Sequence, residues 1–110
     1  MRIPNGEHAH VPEETRTGYL LARAHPVGGR PRARFFRALG YDESTVPHLA
    51  EALLGLARAD HAQAVDTPFG TKYVAEGDLH APSGRVARIC TVWIVDASPP
   101  RPRFVTAYPV

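Results

Sequence analysis

Between His25 and Tyr41 the chain reads HPVGGRPRARFFRALGY, a histidine and a glycine pair followed by four arginines set around two phenylalanines. Histidine changes charge near neutrality without a large perturbation, so His25 on its loop is a candidate general acid or base. Arginine keeps its charge and presents a planar fork of donors that fits phosphate and carboxylate. The stretch therefore reads either as a docking site for an anion or as an awkward helix on a small domain. Twelve of the thirteen cations in the chain are arginine, and the exception is Lys72. His8 and His10 alternate as a metal clip would, yet no third ligand stands near them. His48, His61 and His80 are scattered over a helix start, a strand edge and a turn. GGRPR lacks the spacing of a phosphate-binding loop, and GxSxG and HExxH do not occur. No cofactor and no metal is expected.

The chain of 110 residues, with 44% hydrophobic and 22% charged residues, has the composition of one globular domain. A single cysteine, Cys90, leaves no internal disulfide and fits a reducing compartment. Neither an apolar leader nor a membrane-length segment is present, so the expectation is a cytoplasmic protein without membrane contact.

Residues 1–12 read as an irregular lead-in, 13–58 as helical and 60–110 as antiparallel sheet. Pro12, Glu13 and Glu14 start a short helix from about Glu13 to Leu21. Gly28 and Gly29 permit a bend, and a second helix follows from about Arg30 to Leu39, ended by Gly40. On that helix Arg30, Arg34 and Arg37 share a stripe opposite Phe35, Phe36 and Leu39, while Arg32 falls on the apolar side, where a charge is costly unless it snorkels out or meets a partner. Val46, Leu49, Ala50, Leu53, Leu54 and Ala57 keep helical spacing and predict a third helix over about Val46 to Arg58.

After Asp60 the period becomes alternating, with turns at TPFG, APSG and ASPPRP. Four strands are expected, about His61 to Asp66, Thr71 to His80, Arg85 to Asp96 and Arg103 to Tyr108. The fold class is α+β, N-terminal helices packed on one face of a four-stranded antiparallel meander. Cys90, Val92 and Ile94 form the wholly apolar side and are expected under the helices; Ile89, Thr91 and Trp93, with Phe104, Thr106 and Tyr108, are expected on the open side.

VPEETRTGYLL, HPVGGRPRARFFRALGY, TPFGTKYVAEGDL, TVWIV and RFVTAYP together resemble a family of small bacterial domains of unknown function, found alone and at the tail of polymorphic toxin-like proteins. The resemblance runs nearly end to end. Members of that family carry lysine where this chain has Arg32, which keeps the charge and questions a role needing a titrating amine. Helices followed by a four-stranded meander is also similar to the layout of barnase, the EndoU nucleases, the nuclease colicins and RelE. The resemblance implies a toxin-like domain that binds RNA or cleaves it without metal, one half of a toxin–antitoxin pair.

Such cleavage needs a base for the 2′-hydroxyl proton, an acid for the leaving oxygen and donors for the phosphorane. His25, Arg32 and Lys72, with hydroxyls from Thr91 and Thr106, are the catalytic candidates. Trp93, Tyr73 and Tyr108 are candidates to stack on bases, and Arg30 and Arg34 to contact phosphates. Each has a plainer reading. His25 fits an ordinary loop, Lys72 an edge strand guarded against pairing, the three aromatics a second small core, and the arginine stripe a solvated face. The alternative function is a non-enzymatic module that binds a protein, as the antitoxin or immunity half of a pair or as a homodimer, through the open sheet face.

Overall fold

The structure is a computed structural model that describes residues 1–13, 15, 29–60, 62–68, 70–95 and 100–110. His25 and almost all of the helix expected over 13–21 lie outside the described residues. The fold is α+β, as the patterning implies: among the described residues, two α-helices precede a sheet of four antiparallel strands in the order β1-β2-β3-β4. These are α1 (Gly29–Ala38), α2 (Val46–Ala57), β1 (Ala62–Thr67), β2 (Gly70–His80), β3 (Val86–Val95) and β4 (Pro102–Pro109).

α1 ends where Gly40 takes φ 102°, a left-handed conformation that a side chain disfavours. Asp42 then accepts from the Ser44 and Thr45 amides at 2.8 and 3.2 Å, capping a short 3-10 turn that leads into α2. α2 carries its repeat as expected: Leu49, Ala50, Leu53, Leu54 and Ala57 are buried, and the helix lies across β2 and β3. Phe36 brings α1 into the same core and meets Tyr41 edge-on, with ring centroids 6.4 Å apart.

The first dozen residues do more than the expected irregular lead-in. Ile3, Ala9 and Val11 enter the core. The Ala62 amide donates to the Met1 carbonyl at 2.8 Å beside edge strand β1. At the other edge, the His10 amide donates to Pro102 and the Phe104 amide to His10, a parallel bridge onto β4. Backbone groups at both sheet edges thus find partners within the chain.

The expected facing of the sheet is reversed on β3. Ile89 and Trp93 belong to the core under the helices, and Cys90 and Val92 do not. The physical reason is the size and the polar satisfaction of this row: Trp93 packs edge-on against Phe104, centroids 5.4 Å apart, and its indole nitrogen donates to the Thr91 hydroxyl at 2.8 Å. An irregularity in the β3–β4 register at Val92/Trp93 then splits β4. Phe104 and Ala107 pair with Trp93 and Thr91 and face the helices, while Thr106 and Tyr108 pair with Val92 and Cys90 and face away. Strict alternation would have put Phe104, Thr106 and Tyr108 on one side; one extra residue in a strand is enough to break that parity.

Candidate functional site

The sheet face opposite α2 is organised in cross-strand rows, and it is buried at its centre, where Cys90 is 4% and Val92 8% exposed. Val65, Lys72, Ile94 and Arg103 form one; Gln63, Val74, Val92 and Thr106 the next; Glu76, Cys90 and Tyr108 a third; Asp78 and Arg88 a fourth. Lys72, Thr106 and Tyr108 therefore share a face, as a site on the sheet requires. Arg103, which sequence reasoning passed over, stands in the row of Lys72 two strands away, about 10 Å across the sheet. Among the described residues, the exposed large hydrophobics outside the chain ends, Val65, Val86 and Tyr108, all belong to this face. Its charges are mixed, and Arg88 and Asp78 pair at 3.4 Å in solvent, a contact worth little energy. The Cys90 thiol donates to the Tyr108 phenol oxygen at 3.2 Å, and this pairing holds the Tyr108 hydroxyl above its ordinary titration range.

The other expected site residues lie elsewhere. Thr91 is fully buried on the helix side, donating to the Ala75 carbonyl at 2.7 Å and accepting from Trp93. Its hydroxyl is thus spent inside the protein, and Thr91 and Thr106 point to opposite faces. Trp93 is likewise fully buried and Tyr73 is half-buried against the same core, so these two aromatics do not join Tyr108 in a stacking platform. The side chain of Arg32 is buried, one turn before Phe36 on α1. Arg34 is exposed, and Arg37 pairs with Glu43, which raises the arginine and lowers the carboxyl. The Arg30 side chain falls outside the described residues.

A cavity of about 360 Å³ opens at the end of the domain where the α1–α2 link meets the β2–β3 turn, lined by Tyr41, His48, His80, Ala81 and Pro82. The two pieces are tied by the Ser83 hydroxyl, which donates to the Leu39 carbonyl at 2.7 Å. His48 comes from the first turn of α2 and His80 from the last residue of β2. Sequence reasoning left these histidines scattered, because 32 positions of chain separate them and only the packing of a loop on a hairpin joins them. A larger open cavity, about 590 Å³, is lined by Asn5, Glu7, His8, Ala9, Pro100 and Arg101. Neither holds any residue expected to act on RNA. Among the described residues no three histidine, cysteine or acidic side chains gather as a metal site would need, and no helix is long and apolar enough to cross a membrane.

Among solved structures, the fold is similar to a chain of a contact-dependent growth inhibition toxin–immunity protein complex from Klebsiella pneumoniae 342. The TM-score is 0.75 at 19% identity, over 91% of this chain and 98% of that one. At that identity the likeness establishes a shared fold. No curated protein matches the chain. Residues 2–110 match the family described as Domain of unknown function (DUF6883), and with nearly its whole length inside that match the chain belongs to this family.

Proposed function

We propose that this domain is the toxin half of a bacterial toxin–immunity pair, acting on RNA without a metal through the sheet face that carries Lys72, Thr106 and Tyr108. The observation that supports membership of such a pair is the fold it shares, over nine-tenths of its length, with a chain from a toxin–immunity complex; the choice of the toxin half rests on the residues of the sheet face. Lys72 and Arg103 in one row supply positive charge for a phosphate, Thr106 a donor in the next row, and Tyr108 an exposed ring for an unpaired base. His25 is the proposed acid or base. Arg32 and Thr91, both buried, enter the proposal as supports of the core.

A second reading, an immunity-type module that binds a protein, is favoured by one feature of the same surface. It exposes Val65, Val86 and Tyr108 among charges of both signs, a composition closer to a protein interface than to a basic RNA groove. Induced expression in a bacterial host separates the two. The toxin reading expects growth arrest with RNA fragmentation, lost in Lys72→Ala and His25→Ala variants that still fold. Harmless expression of the native chain overturns that reading and leaves the binding module.

A further inference from the structure

Met1 and Ala62 exchange two backbone hydrogen bonds, from the Ala62 amide to the Met1 carbonyl at 2.8 Å and from the Met1 amino group to the Ala62 carbonyl at 3.1 Å. That exchange is the pattern of an antiparallel pair, and it fixes the direction of every backbone group on β1. Ala62 points away from β2, so Ala64 and Asp66 point away as well, while Gln63, Val65 and Thr67 turn toward Val74, Lys72 and Gly70. Beyond Ala62, the outward amides and carbonyls of Ala64 and Asp66 make no hydrogen bond among the described residues, and residues 63–66 are exposed. The devices that usually blunt such an edge are missing. β1 holds no lysine and no proline, its pairing with β2 runs without a shift of register, and its one charge, Asp66, is turned to its own sheet by the Thr71 hydroxyl at 3.0 Å.

We propose that this edge takes an extended strand of another protein, added antiparallel to β1 in line with Met1. A row of free amides and carbonyls spaced along a strand is matched by a second backbone, which sets the class of ligand. The length is set by Met1 at one end and the turn after Thr67 at the other, so the guest pairs along residues 63–67. A second copy of this chain does not fit that stretch. Pairing β1 with itself about Val65 sets Pro68 opposite Ala62, where Met1 already sits, and pairing about Ala64 puts Asp66 in that place. Pairing about Asp66 sets two carboxylates side by side. The guest's side chains follow from their neighbours. Val65, 39% exposed, calls for an apolar residue opposite it, on the face where Lys72 next in the row disfavours a cation. Asp66, on the other face, calls for a lysine or arginine. The inference stands on this edge alone and does not rest on the RNA reading of the Lys72 face.

The test is a titration of the full chain, followed by its backbone amide resonances, with a hairpin peptide closed by Asn-Gly whose free strand reads Thr-Lys-Val-Val-Thr. Placed antiparallel, its lysine meets Asp66 and its two valines meet Val65 and Ala64. Saturable shifts largest at Ala64 and Asp66, with affinity on the order of millimolar, are expected. Methylating the amide nitrogens of the lysine and of the second valine, both on the peptide's outer edge, should abolish binding, and glutamate in place of the lysine should weaken it several-fold. Ala64→Pro removes an N–H that no bond in the fold uses, so its Tm should stay within about 3 °C of the native value while binding is lost. Val65→Lys guards the edge without touching the backbone and should weaken binding about tenfold, which keeps the test open if the proline variant fails to fold. No saturable shift, equal affinity for the methylated peptide, or unchanged affinity in a folded Ala64→Pro or Val65→Lys variant overturns the proposal. Shifts of Ala64 and Asp66 that grow with protein concentration in the absence of peptide overturn it too, and give the edge to a second copy.

Discussion

Replacing Thr91 with valine keeps the shape of a fully buried side chain and removes only its hydroxyl, which accepts from the Trp93 indole at 2.8 Å and donates to the Ala75 carbonyl at 2.7 Å. The indole N–H is then buried without an acceptor, at a cost of about 1–3 kcal/mol, and the bond to Ala75 is lost at about 1 kcal/mol more. The added methyl returns up to about 0.8 kcal/mol of burial. A net loss of about 1–3 kcal/mol follows, or roughly 5–15 °C in Tm for a domain of this size. Thr91→Ser keeps the hydroxyl and gives up one methyl, so it should cost about 1 kcal/mol. Trp93 is the only tryptophan, so urea unfolding followed by its fluorescence reads the same site directly. A double-mutant cycle with Trp93→Phe, followed by circular dichroism, should return about 1–2 kcal/mol of coupling. Thr91→Val within about 0.5 kcal/mol of the native protein, or Thr91→Ser as costly as valine, refutes the assignment of this hydroxyl to the core.

Gly77 lies in β2 under α2, where an added Cβ would meet the end of the half-buried Leu56 side chain, which must turn aside; Gly77→Ala should destabilise by no more than about 1 kcal/mol, and adding Leu56→Ala should remove that clash in denaturant midpoints. A double variant less stable than either single one counts against the contact. Hydrogen bonds from Ser44 hold Asp42, and the bond from Arg37 holds Glu43, below their ordinary range. A depressed native value means the unfolded chain takes up protons first, so this stability is present above about pH 4 and is lost as pH falls through the native values. Asp42→Asn should flatten the acid limb of a Tm-versus-pH curve; an unchanged limb speaks against it. Burial raises Tyr41 and pairing with Cys90 raises Tyr108, so the opposite sign holds at the alkaline end: stability is present below about pH 10 and is lost as pH rises through the native values. Cys90→Ala should bring the Tyr108 tyrosinate transition down toward the ordinary range in ultraviolet titration, and no movement refutes the pairing.

Local chemistry was enough for the elements. The uninterrupted spacing of Leu49, Leu53 and Leu54, the stop at Gly40, the turns after Asp66 and His80 and the alternation from Thr71 onward each express a preference that the chain carries in short windows, and the structure realises them as α2, the end of α1 and the meander. The position of Arg32 on the apolar side of its helix was legible for the same reason, but its burial was not, since a long side chain there can also reach solvent. Facing was another matter. Alternation along β3 gives two sides with nothing to say which meets the helices, and the choice fell to the side where Trp93, Phe104 and the satisfied Thr91 hydroxyl bury most without an unpaired polar atom. The shifted register at Val92/Trp93 then sent Thr106 and Tyr108 to the side of Lys72, a parity that no period of two contains. The meeting of Tyr41, His48 and His80 likewise depends on a loop closing against a hairpin, held by contacts such as that of Ser83 with Leu39. Spacing along a chain records which residues a helix or strand turns to one side; which sides then meet is decided by packing between distant segments, and every candidate site here is made of such meetings.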